Sequence, residues 1–183
     1  MTFRIQAIHI ALLFCLISTF ALLPASQARA VVNDVAMVEE TVQNFYEKYL
    51  KAVQNHLEFD LKKQWEIHPA FAQKIENLIR EAEKTEPGFL GYDPILMAQD
   101  IPIRLEYEMA GVGTPFAAML IHKVWGENTK NSLCVYLYKE EGDKRHLDKW
   151  QIFEIVDMDD PENSKECSAW ENIELLKELK GAQ

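Results

Sequence analysis

From Ile103 to Asp157 four strand-like runs follow one another, each ended by a turn: IRLEYEM, FAAMLIHKVW, SLCVYLYK and WQIFEIVD. These runs are rich in β-branched and aromatic residues, which suit a pleated, half-buried layer. Gly111-Val112-Gly113, Gly126-Glu127-Asn128 and Glu141-Gly142-Asp143 stand between them as short, hairpin-like connections. The pattern predicts four consecutive antiparallel strands. In the second run Phe116, Ala118, Leu120, His122 and Val124 share one face. Ala117, Met119, Ile121, Lys123 and Trp125 share the other. Both faces are largely apolar, so this strand is expected to be central. In the third run Leu133, Val135 and Leu137 oppose Cys134, Tyr136 and Tyr138. In the last, Trp150, Ile152, Glu154 and Val156 are expected together, opposite Phe153 and Ile155.

Before the strands the apolar spacing changes to three and four. Val35, Val38, Val42, Phe45, Tyr46, Tyr49 and Val53 form one stripe, predicting a helix over Asp34 to Gln54. Asn55 to His68 is less regular and reads as a packed connector. Pro69 opens a second helix, where a missing N–H costs nothing. Its stripe is Phe71, Ile75, Leu78, Ile79 and Ala82, and Pro87-Gly88 ends it. Phe89 to Pro102 reads as a loop with a helical turn at Ile95 to Ala98. After an acidic turn, Ser168 and Glu171 form a capping box that opens a final helix ending near Gly181. The fold class is α+β, a four-stranded antiparallel sheet against helices.

The first thirty residues carry a separate signal. Arg4 supplies a basic start, Ile10 to Leu23 is apolar, and Ala28-Arg29-Ala30 has the small residues a signal peptidase reads. This predicts a signal peptide over 1–30 and a single domain over 31–183, periplasmic or secreted. An uncleaved amino-terminal anchor is the alternative. The apolar run is shorter than the roughly 20 residues of a spanning helix, so no stable membrane insertion is expected after processing. Removing the segment takes away Arg4 and Arg29 and no acid, so the net charge moves from −10 to −12. That balance argues against nucleic acid and anionic membranes and suits a basic partner. Cys134 and Cys167 survive processing, and an oxidising compartment favours a disulfide between them. Two unpaired thiols are the alternative.

Three stretches resemble an exported bacterial family, domain-of-unknown-function family 3828. They are Phe45-Tyr46 with Tyr49-Leu50, Tyr92 to Asp100 with its Ala98-Gln99-Asp100 step, and the strand Trp150 to Ile155. The resemblance spans about residues 38 to 157. It implies a strongly bent, cone-shaped sheet wrapped on the amino-terminal helices. Such a fold is similar to nuclear transport factor two, ketosteroid isomerase and the SnoaL-like cyclases. It implies no agreed activity, because a fold does not carry a function.

Chemistry is sparse. In a cone of this type Asp100 would serve as a general base, with His122 and either Tyr107 or Tyr46 as partners. Asp93, Gln99, Asp100 and Tyr46 would line a ligand pocket. The competing account makes Asp93, Gln99 and Asp100 loop-forming residues that hold backbone N–H groups, and His122 a satisfied core residue. Asp157, Asp159, Asp160 and Glu162 do not make a calcium loop, because Pro161 falls at a ligand position and the turn glycine is missing. No metal spacing, cofactor motif or phosphate-binding glycine loop is present. The expectation is a non-enzymatic binding protein, with a basic envelope protein or a small ligand in the cone as its partner. A small isomerase or cyclase using Asp100 is the alternative.

Overall fold

The computed structural model describes residues 25–85, 92–127, 130–139, 149–159 and 166–168. The chain divides into two compact units, Met1–Asp34 and Val35–Gln183. Residues 25–34 are the described part of the first, and they are helical. In chain order the elements are helix α1 (Ala25–Gln54), a 3-10 turn (Leu61–Lys63), helix α2 (Pro69–Thr85) and four strands. The strands are β1 (Arg104–Gly113), β2 (Phe116–Val124), β3 (Lys130–Lys139) and β4 (Trp150–Asp157). They form one antiparallel sheet in the order β1-β2-β3-β4. The α+β class and the four strands are as expected. The final helix and the Glu141-Gly142-Asp143 turn lie outside the described residues.

The stripe on α1 is the centre of the core. Val38, Val42, Phe45, Tyr46 and Tyr49 are buried against Met119, Ile121, Leu133, Val135, Leu137 and Ile155 of the sheet. Phe45 meets Tyr46 edge-on at 5.2 Å between ring centroids, and stacks on Tyr49 at 5.9 Å. Such pairs add to the burial of their area. On the other face of the sheet a smaller cluster gathers Ala118, Cys134, Tyr136 and Phe153, with Phe116, Tyr138 and Cys167 packed on it. Cys134 and Cys167 are joined by a disulfide, with Cα atoms 5.4 Å apart.

Four expectations about element detail are corrected. α1 begins at Ala25, upstream of Asp34, and runs through Ala30 without a break. The first hairpin turns at Thr114-Pro115, a cis peptide, and the glycines at 111 and 113 belong to β1. A register shift between Met109 and Gly111 absorbs one residue there. A second shift, between the pairs Tyr136↔Glu154 and Leu137↔Ile152, leaves Phe153 as the extra residue of β4. Strict alternation therefore fails: Ile155 joins Trp150 and Ile152 in the main core, and Val156 joins Phe153 behind the sheet. Finally, only the first half of the α2 stripe is covered. Phe71, Ala72 and Ile75 are buried, while Leu78 and Ile79 are exposed. The amino-terminal half of α2 rests beside β4, where Lys74 Nζ reaches Glu154 Oε2 at 2.5 Å.

Candidate functional site

Tyr46 and Asp93, two of the expected pocket residues, do come together, and their polar groups are engaged within the protein. Asp93 Oδ1 accepts the N–H groups of Ile95 and Leu96 at 2.8 and 2.9 Å. Its Oδ2 accepts the Tyr49 hydroxyl at 2.7 Å. The Asp93 N–H donates to the Ala98 carbonyl at 2.8 Å, closing the turn. Tyr46 donates its hydroxyl to the Ile95 carbonyl at 3.3 Å, and Lys123 Nζ donates to the Met97 carbonyl at 3.1 Å. The turn from Asp93 to Ala98 is thus fastened from beneath by two α1 tyrosines and a buried β2 lysine. This agrees with an Asp that organises its own loop. Met97 takes a left-handed φ of 46° inside that turn.

Gln99 and Asp100 follow the turn and are exposed. The Asp100 backbone carbonyl accepts Trp125 Nε1–H at 3.4 Å, and its side chain faces solvent. A base that removes a proton beside a carbonyl gains its strength from desolvation. Asp100 has no such shelter.

Burial acts instead on the phenols. It pushes Tyr46 well above the usual tyrosine range, with the charges of Tyr107 and Asp93 adding to it. It raises Tyr49 too, helped by Asp93, and lifts Tyr107 to about 12, helped by Glu47. A group with a raised folded-state pKa contributes stability that is complete below its unfolded pKa, about 10 for tyrosine. That stability is lost as the pH climbs, because the unfolded chain releases its protons first. Thermal melts followed by circular dichroism should therefore show a flat midpoint from pH 8 to about 10 and a fall towards 12. A midpoint unchanged to pH 12 would contradict the burial of these hydroxyls.

His122 and Tyr107 do not meet. Tyr107 pairs with Ile121 and His122 with Glu106, so the two side chains leave opposite faces of the sheet. His122 Nδ1 lies 2.8 Å from Ser132 Oγ and Nε2 lies 3.4 Å from Glu108 Oε2. The row Ser132–His122–Glu108 has the residue types of an acyl-transfer triad, but its surroundings oppose that chemistry. The Ser132 N–H is taken by Asp159 Oδ2 at 2.7 Å. A negative carboxylate therefore stands where an oxyanion would need donors. The row is a cross-strand polar contact on the outer face.

The two edges of the sheet differ. β4 is covered along its outer side by the segment before α2. Ile67 bridges Ile152, the Ile152 N–H donates to the Glu66 carbonyl at 2.7 Å, and the His68 N–H donates to the Ile152 carbonyl at 2.8 Å. Beside this cover the Trp65 ring is 43% exposed, with Lys48 and Lys149 ammonium groups 5.9 and 5.2 Å from its centroid. Lys48 also holds the fully buried Glu66 at 2.5 Å. At the other edge β1 pairs only with β2 among the described residues. Glu106 and Glu108 stand on its outer face, and Glu108 is 69% exposed. Arg104 is the only cation on the strand, and it is held by Glu106 at 2.9 Å. Leading into the strand, Ile101 and Ile103 are 40% and 72% exposed. The acidic β1 edge was not among the residues expected from the sequence. Its signal was present in the spacing of Glu106 and Glu108, but an alternating strand does not reveal which strand ends the sheet.

No family model, curated protein or solved structure matches the chain. Among the described residues no helix is long and apolar enough to cross a membrane.

Proposed function

We propose that the chain is an exported, non-enzymatic binding protein that engages a basic envelope protein through its acidic surface. The observation that carries this reading is the acidic balance of the chain, a net charge of −10. Phe45, Tyr46, Met119, Val135 and Ile155 are each at most 2% exposed, so these side chains belong to the core and recognition is placed on the surface. Export is supported by the leader-like first thirty residues and by a disulfide that suits an oxidising compartment. Processing near Ala30 would shorten α1 to its part beyond Val31. Kinship with family 3828, and the strongly bent cone that goes with it, belong to the same proposal and rest on the three quoted stretches. The isomerase or cyclase alternative finds no support in an exposed Asp100.

The reading is tested by immobilising the chain from Val31 onward and passing envelope extract over it. Basic proteins should be retained at low ionic strength and released by salt, as screened charge pairs require. Recovery of salt-independent contaminants alone would overturn it.

A further inference from the structure

We infer that the outer edge of β1 is where a basic partner docks, by adding an extended Lys- or Arg-rich segment as a fifth strand. The inference rests on the reading of a basic partner given above, and it names the surface. A strand at the end of a sheet presents a row of N–H and C=O groups that only another strand satisfies fully. This sheet has two ends and treats them differently. At β4 the chain supplies its own cover through Glu66, Ile67 and His68. At β1, ten residues from Arg104 to Gly113 run along the edge with β2 as their only strand partner among the described residues.

The side chains around that edge specify the occupant. Glu106 and Glu108 lie two apart on one face, the repeat at which an added strand places successive side chains of its own. Arg104 already holds Glu106, so the exposed Glu108 carries most of the unbalanced charge of that face. A cationic strand would meet these acids, while an acidic strand would be repelled. Ile103, exposed at the entry of β1, offers an apolar contact at one end of the added strand. At the other end, the register shift at Met109/Gly111 bends β1 and limits pairing. The pairable stretch is therefore Arg104 to Met109, long enough for a short peptide segment. Charged side chains also protect edges from self-association. Here the two effects share one cause: the same acids that keep a second copy away select a partner of opposite charge.

The test uses two synthetic octapeptides, one alternating Lys and Val and one alternating Glu and Val. Binding is followed by amide signals of the isotope-labelled chain in two-dimensional NMR, with amide exchange measured in each complex. The Lys peptide should slow exchange at alternate residues of β1 and leave β4 unchanged. The Glu peptide should leave every signal in place. The double substitution Glu106→Lys with Glu108→Lys should weaken the Lys peptide by about tenfold or more, since like charge replaces opposite charge. Glu108 is exposed and Glu106 half-buried beside Arg104, so the melting curve of the variant is measured first and the single substitution Glu108→Lys serves where the double variant is unfolded. Should the Lys peptide bind with its shifts away from β1, the docking edge is wrong and the acidic-surface reading stands. Should it bind nowhere, both fall.

Discussion

Replacing Phe45 by alanine should lower the stability of the domain by about 3–5 kcal/mol, a large share of what a domain this size possesses. Phe45 is fully buried at the middle of the α1 stripe. Its ring contacts Tyr46, Tyr49 and Phe59, at centroid distances of 5.2, 5.9 and 5.9 Å. Removing it forfeits the transfer of an aromatic side chain from water and leaves a hole that stiff neighbours cannot fill. Tyr46 and Tyr49 cannot move inward, because their hydroxyls are tied to the Ile95 carbonyl and to Asp93. The cost therefore belongs at the upper part of the range. Two-state urea unfolding measures it. The conservative Phe45→Leu should keep more than half of the lost stability, since most of the volume remains. A loss under about 1 kcal/mol for Phe45→Ala would mean that α1 does not pack on the sheet as described.

Breaking the Cys134–Cys167 bridge should cost about 3–4 kcal/mol on the chain-entropy argument for its loop length. The two cysteines are 33 residues apart. Closing that loop in the unfolded chain removes conformations that reduction restores. Cys134 is fully buried in the cluster behind the sheet, and Cys167 packs on that cluster. Substituting both by alanine therefore acts on the unfolded ensemble and on the outer cluster together. Urea unfolding of the double variant should show a lower midpoint and a steeper dependence on denaturant, because an uncrosslinked chain exposes more surface. An unchanged midpoint would show that the bridge contributes no stability. The main core should survive the change, since Cys134 and Cys167 belong to the cluster on the other face of the sheet. Near-ultraviolet signals from Tyr136 and Phe153 should weaken first.

Reading elements from periodicity worked where one local pattern dominated. Val38, Val42, Phe45, Tyr46 and Tyr49 recur at helical spacing, and all five are buried. Ala117, Met119 and Ile121 alternate on β2, and all three face the helices. The reading failed where one residue was inserted into a strand. Phe153 looks like an ordinary alternating position, yet as the extra residue of a bulge it moves Ile155 and Val156 to the faces opposite those expected. It failed also at Leu78 and Ile79, whose helical spacing says nothing of how far a neighbour extends.

The candidate chemistry separates in the same way. Asp93 is followed directly by a proline, which marks a turn, and that local role is the one it has. Asp100 could be assigned to a pocket only by supposing what surrounds it, and it is exposed.

By itself the amino-acid order determined which segments are helix and which are strand, because neighbouring side chains set those periods. It determined the acidic balance and the number of cysteines that could pair. Tertiary structure decided that the α1 stripe packs on the sheet, that Tyr107 and His122 are kept apart, and that β4 is covered while β1 has no second strand partner among the described residues. Each of these depends on contacts between residues far apart in the chain, and strand order and register, which place those contacts, have no local signature.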